Sequence, residues 1–91
     1  MTVVRVTVDG RVQGVGYRAW TKREADRYQL AGWVRNRKDG AVEAVFAGPE
    51  DKVKAMVAAC HQGPRHAVVT AVAVVPEDGQ VLAGFEIRPT A

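Results

Sequence analysis

Ninety-one residues, 47 % of them hydrophobic and 25 % charged, describe one small globular domain over residues 1–91 with a modest core, because a chain this short buries only about 60–65 % of the surface it exposes when unfolded. The net charge of +3, from 13 basic residues dispersed among 10 acidic ones, mildly favours anionic ligands and falls short of a nucleic-acid footprint. Apolar runs such as Ala67–Val75 are far below the roughly 20 residues of a membrane span. Met1-Thr2-Val3-Val4-Arg5 carries no export signal and the single Cys60 cannot close an internal disulfide, so a cytoplasmic setting is expected.

Val4, Val6 and Val8 alternate with Arg5, Thr7 and Asp9, a period of two that predicts a half-buried first strand ending at Gly10. A helix is expected from Arg18 to Leu30. Tyr17, Thr21, Ala25 and Tyr28 share one side of it, Lys22, Arg23, Asp26 and Arg27 form a solvated face, and Gly32 is the expected left-handed or turn residue that closes it. Trp33–Arg37 and Ala41–Phe46 flank Lys38-Asp39-Gly40. An Asp-Gly between two strand-like runs predicts a hairpin, with Val42, Ala44 and Phe46 on the covered face of its second strand. Pro49, followed by Glu50 and Asp51, opens a second helix whose Val53, Met56, Val57 and Cys60 face the core, and Gly63-Pro64 stops it. Ala67–Val75 reads as a fourth strand that is apolar on both parities, so its inward face stays open and a bulge is one way to reconcile it. After a turn at Pro76–Gly79, Val81–Arg88 reads as a fifth strand with Phe85 and Ile87 inward. The order βαββαβ plus a terminal strand predicts a two-layer α+β sandwich of the ferredoxin-like kind, its mainly antiparallel sheet left largely to solvent on one face.

The chemistry concentrates where the first strand meets the first helix. Gly10-Arg11-Val12-Gln13-Gly14-Val15-Gly16-Tyr17-Arg18 holds three glycines within seven residues, which lets the backbone turn tightly and frees its N–H groups from any ladder. The helix that follows points its N-terminus, with unpaired N–H groups and the positive end of its dipole, at the same spot. Arg18 adds a planar fork that grips two phosphate oxygens at once. A plain βα connection is the competing reading of the loop, a solvated helix residue that of Arg18, and a polar strand-end residue bonding its own backbone that of Asn36. What favours function is topology, since the first strand and the strand bearing Asn36 belong to one sheet and Asn36 can reach the mouth of the loop.

Other motifs fail their contexts. Gly14-Val15-Gly16-Tyr17-Arg18-Ala19 fits the dinucleotide fingerprint G-x-G-x-x-A with Asp39 beyond it, yet Asp39 falls in a hairpin turn and the chain is too short for a doubly wound sheet. No Gly-Lys-Ser/Thr follows the glycines, which excludes a Walker-type loop. His61 and His66 lack partners at metal-ligand spacing, so no metal site is expected. Cys60 sits on an apolar helix face, and Trp20 and Trp33 default to core or partial burial. An RNA-recognition sheet would carry stacked aromatics where these strands carry valines.

The stretch from Val8 to Arg18 resembles the first signature of the acylphosphatase family. Gly32-Trp33-Val34-Arg35-Asn36, with Asp39-Gly40-Ala41-Val42 and Gly48, resembles the second, and the element order matches over essentially the whole chain. Tyr17 departs from the Phe or Met usual at its position, and its hydroxyl needs a partner if buried. The resemblance implies a cytoplasmic enzyme that hydrolyses the carboxyl-phosphate bond of acyl phosphates without metal or cofactor, with phosphate or sulfate as inhibitor. No nucleic-acid or membrane partner is expected, and a monomer is the expected state. By matching position Arg18 is the phosphate-binding arginine and Asn36 the residue that orients water, while the amides of Gln13, Gly14, Val15, Gly16 and Tyr17 form the phosphate cradle. The residue inventory suits an easy reaction. A carboxylate leaving group, its conjugate acid having a pKa of about 4, needs no general acid, and a loose phosphoryl transition state rests on positioning and charge stabilisation. A non-catalytic phosphate-binding module, alone or inside a larger maturation or carbamoyl-transfer assembly, is the alternative, and turnover of benzoyl phosphate separates the two.

Overall fold

The alternating valines become β1 (Thr2–Arg11), with Val6 and Val8 fully buried on one face. The computed structural model describes residues 1–91 and continues with α1 (Tyr17–Arg27), β2 (Ala31–Asn36), β3 (Val42–Gly48), α2 (Glu50–Cys60), β4 (Val68–Pro76) and β5 (Phe85–Ile87). The strands make one sheet in the order β4-β1-β3-β2-β5, antiparallel throughout except for the parallel β2–β5 pair. Val6, Val8, Val34, Val42, Ala44 and Phe46 meet Ala25, Val53, Met56 and Cys60 of the helices in a single core, as the ferredoxin-like reading expects. Phe85 of β5 stacks on Phe46 with ring centroids 5.6 Å apart. No helix is long and apolar enough to cross a membrane.

Three local expectations are corrected. Helix α1 stops at Arg27 rather than Leu30, and the left-handed residue that closes it is Gln29, at φ 59°; Gly32 also has a positive φ, 135°, but beyond the closure. The Leu30 N–H reaches back to the Ala25 carbonyl at 2.9 Å, a Schellman closure that drops Leu30 into the core, while Gly32 lies inside β2 opposite Phe46. The fifth strand shrinks from Val81–Arg88 to Phe85–Ile87. Register explains it: Gly32 pairs with Phe85 and its N–H reaches the Gly84 carbonyl at 3.0 Å, so the residues before Gly84 outrun the start of β2 and have no strand to join. Ile87, expected inward, is 44 % exposed at the sheet edge.

The double-sided apolarity of β4 has a geometric cause. Its register with β1 slips between Asp9, which faces Ala71, and Gly10, which faces Val69, leaving Thr70 as the extra residue of a β-bulge. Along β4, Val69 packs toward the helices before the slip and Val72 after it, so the apolar parity switches within the strand. The outer sheet face carries no helical layer, yet its centre is covered. Trp33 lies under the guanidinium groups of Arg5, Arg35 and Arg88, 5.5, 4.7 and 4.9 Å from its ring centroid. Glu43, nearly buried, accepts hydrogen bonds from Arg35, at 2.8 Å, and from Arg5.

One feature of this topology builds the site. Strands β1 and β2 both flank β3 in the antiparallel sense, so their C-terminal ends emerge at the same edge of the sheet. Val8, Val42 and Asn36 stand in one cross-strand row there, just below the loop that leads into α1.

Candidate active site

Strand β1 ends at Arg11 and α1 begins at Tyr17, leaving a five-residue loop. Gly14 and Gly16 hold φ values of 74° and 80°, and a Cβ at either position would meet nothing within 4 Å. Their requirement for glycine is therefore conformational rather than one of crowding. No acceptor in the chain takes the N–H groups of Gln13, Gly14, Val15 or Gly16, and Tyr17 opens the helix with an N–H that has no intrahelical partner.

Gln13, Gly14, Gly16, Tyr17 and Arg18 line one hollow of about 280 Å³, and Asn36 faces it from the end of β2. Arg18 is half-buried and its guanidinium makes no ion pair or hydrogen bond within the chain, whereas Arg37, which follows Asn36, is paired to Asp39 at 2.8 Å. The Asn36 carboxamide is likewise unpartnered; only its backbone carbonyl is engaged, by the Ala91 N–H at 3.1 Å. Neither bland reading of these two side chains holds in full: Asn36 does not bond its own backbone, and Arg18 borders a concavity rather than open solvent. Val15 is the exception among the expected cradle residues. It does not line the hollow but packs against the core, leaving only its N–H free.

Two groups that look chemically able are locked away. The Tyr17 hydroxyl donates to the Cys60 carbonyl at 2.7 Å, Trp20 packs edge-on against the ring with centroids 5.3 Å apart, and burial pushes the phenol pKa up. Burial also raises the Cys60 thiol to about 12, which removes the thiolate a nucleophile would need. His61 and His66 are exposed, and no three His, Cys, Asp or Glu side chains gather anywhere.

Two participants were not legible beforehand. Ile87 forms part of the rim beside Asn36. The Gln13 side chain, expected to contribute only its main-chain N–H, spends Nε2 on the carbonyls of Arg37, at 2.8 Å, and Ala41, at 2.9 Å. Those partners lie 24 and 28 residues away, and no local spacing announces them.

A concave ring of free amides at a helix N-terminus, beside one unpaired guanidinium and one carboxamide, is suited to a tetrahedral anion with a water next to it. The family model described as Acylphosphatase matches residues 4–87. The chain belongs to the acylphosphatase family. An acylphosphatase of Nitrobacter hamburgensis is 57 % identical over 89 residues, an alignment covering 96 % of this chain and 86 % of that one. The crystal structure of acylphosphatase from Bacillus subtilis superposes with a TM-score of 0.91 at 42 % identity, covering 97 % of this chain and 99 % of the other. The structure of an acylphosphatase from Coxiella burnetii gives 0.92 at 34 % identity, covering 96 % and 92 %. As an acylphosphatase the chain is an enzyme, and its substrates are acyl phosphates.

Proposed function

We propose that the phosphoryl group of the acyl phosphate sits in the hollow at the start of α1, against the N–H groups of residues 13–17 and the Arg18 guanidinium. Asn36 holds the attacking water through its carboxamide. The water oxygen bonds to phosphorus as the bond from phosphorus to the acyl oxygen breaks, and the carboxylate departs with the electron pair. The proton of the water passes late to a phosphoryl oxygen, so inorganic phosphate is released without a protein base. A carboxylate leaving group asks for no general acid either, which fits a site that offers none. Preorganised donors of this kind are each worth about 3 kcal/mol of barrier.

The observation that carries this reading is the convergence of three kinds of unspent donor on one hollow: loop amides, the Arg18 guanidinium and the Asn36 carboxamide. No metal is required, because charge stabilisation comes from those donors, and free phosphate or sulfate competes for the same cradle. The hollow is lined by residues 12–14, 16–19, 36 and 87 of a single chain, so it works in a monomer. The test is hydrolysis of benzoyl phosphate in EDTA with inorganic phosphate as competitor. Wild-type protein turns over at full rate and phosphate inhibits competitively. Asn36→Ala loses about 100-fold in kcat while the phosphate Ki stays nearly unchanged. An Asn36→Ala variant with undiminished turnover removes the water-orienting role, and activity abolished by EDTA removes metal independence.

A further inference from the structure

The Gln13 side chain bridges the two halves of the site. Both of its carboxamide N–H groups are committed, one to the Arg37 carbonyl at 2.8 Å and one to the Ala41 carbonyl at 2.9 Å. Both partners are acceptors only, so the NH₂ end must face them. These two carbonyls are the ones that close the hairpin between β2 and β3: Ala41 O also accepts the Arg37 N–H, and Arg37 O also accepts the Gly40 N–H. Arg37 directly follows Asn36, and Ala41 directly precedes Val42, the cross-strand partner of Asn36. The loop that carries the amides is thus fastened to the backbone on either side of the residue that faces them.

From this geometry we infer that Gln13 is a positioning residue that sets the distance between the phosphate cradle and the Asn36 carboxamide, acting on turnover through Asn36 rather than by touching substrate with its own side chain. The inference rests on the water-orienting reading of Asn36. No other hydrogen bond ties the loop to the hairpin: the N–H groups of residues 13–16 have no acceptor within the chain, and Asn36 has no side-chain bond of its own. An in-line attack needs the water within a few tenths of an ångström of its place, and a misplacement of 1 Å can cost about 100-fold in rate.

The experiment is a double-mutant cycle between Gln13→Met and Asn36→Ala, read as kcat for benzoyl phosphate and as Ki for inorganic phosphate. Methionine matches the length of glutamine and donates nothing. Gln13→Met is expected to lower kcat by about 10- to 100-fold with little change in Ki. In the Asn36→Ala background the same substitution is expected to cost nothing further, because the residue it positions has gone. Gln13→Asn, which keeps the carboxamide one methylene too short to reach both carbonyls, should repeat the pattern and stands in if the methionine variant does not fold. Independent losses that multiply in the double variant would overturn the inference, as would a Ki that rises in proportion to the fall in kcat, since Gln13 would then be shaping the cradle itself. Undiminished kcat in Asn36→Ala alone overturns the water-orienting reading and this inference with it. Undiminished kcat in both Gln13 variants beside a crippled Asn36→Ala overturns only the inference.

Discussion

A lysine at position 18 would keep the charge of Arg18 and lose the planar fork that spans two phosphoryl oxygens. Because no carboxylate in the chain competes for that guanidinium, the whole fork is free for the ligand. Arg18→Lys is therefore expected to raise the phosphate Ki and to lower kcat by about 100-fold together, whereas Asn36→Ala is expected to move kcat alone; steady-state kinetics with phosphate as inhibitor separates the two. The opposite expectation holds at Cys60. The thiol is 1 % exposed and held protonated by burial up to about pH 12. Native protein should then resist Ellman's reagent until it is unfolded. The unfolded thiol ionises near its ordinary value while the native one keeps its proton, so the unfolded state binds fewer protons above about pH 9. Stability should accordingly decline from there toward pH 12, and denaturant titrations should show Cys60→Ala lacking that part of the decline. That Arg18 and Asn36 would border one hollow was legible in the sequence, because each belongs to a local motif and the strand order brings the two together. The use made of the Gln13 side chain was not, because its partners are set by the folded sheet.

At the scale of elements, periodicity located every helix and strand and misjudged how some of them end. Helix α1 closes where Leu30 must enter the core, not where the nearest glycine stands, so Gln29 is forced to a φ of 59° that a side chain rarely adopts. Gln29→Gly should relieve that strain. Set against the larger conformational freedom of glycine in the unfolded chain, a net gain of about 0.5–1 kcal/mol remains, visible as a rise of a few degrees in Tm. Unchanged or lower Tm would mean that the glutamine side chain earns its place by other contacts. Strand β4 taught the converse lesson. Its apolar residues fall on both parities because Thr70 inserts a bulge that turns the pattern over, and no count of hydrophobic residues reveals on which side of the slip each one lies. The short β5 follows from register in the same way, since its partner strand begins only at Ala31.

For the molecule as a whole, the ferredoxin-like order was legible because two amphipathic helices and an Asp-Gly hairpin leave few ways to pair the strands. What the pattern did not show is how the uncovered sheet face is held. Glu43 at its centre joins Arg5 of β1 to Arg35 of β2, and Arg5 reaches on to Glu77 beyond β4, so one carboxylate ties neighbouring strands together across the sheet. Burial alone would push the Glu43 carboxyl up, but the hydrogen bonds from Arg35 and Arg5 outweigh it and hold the group below its ordinary value of 4.5. The sign follows. Above pH 4.5 both folded and unfolded states are ionised and the stabilisation is fully present; as pH falls through and below that value the unfolded chain takes up a proton before the native one, and the stabilisation drains away. Glu43→Gln should thus be less stable than wild type by about 2 kcal/mol at neutral pH, between the worth of an exposed pair and that of a fully buried one. The two proteins should draw together as the pH falls below 4.5, because the wild type loses stability there and the uncharged variant has no such carboxylate to lose. Urea titrations from neutral pH into acid decide the matter: a gap between the two proteins that does not narrow below pH 4.5 would assign the loss to packing around Trp33, whereas a gap that narrows there places the charge of Glu43 at the centre of the sheet's outer face.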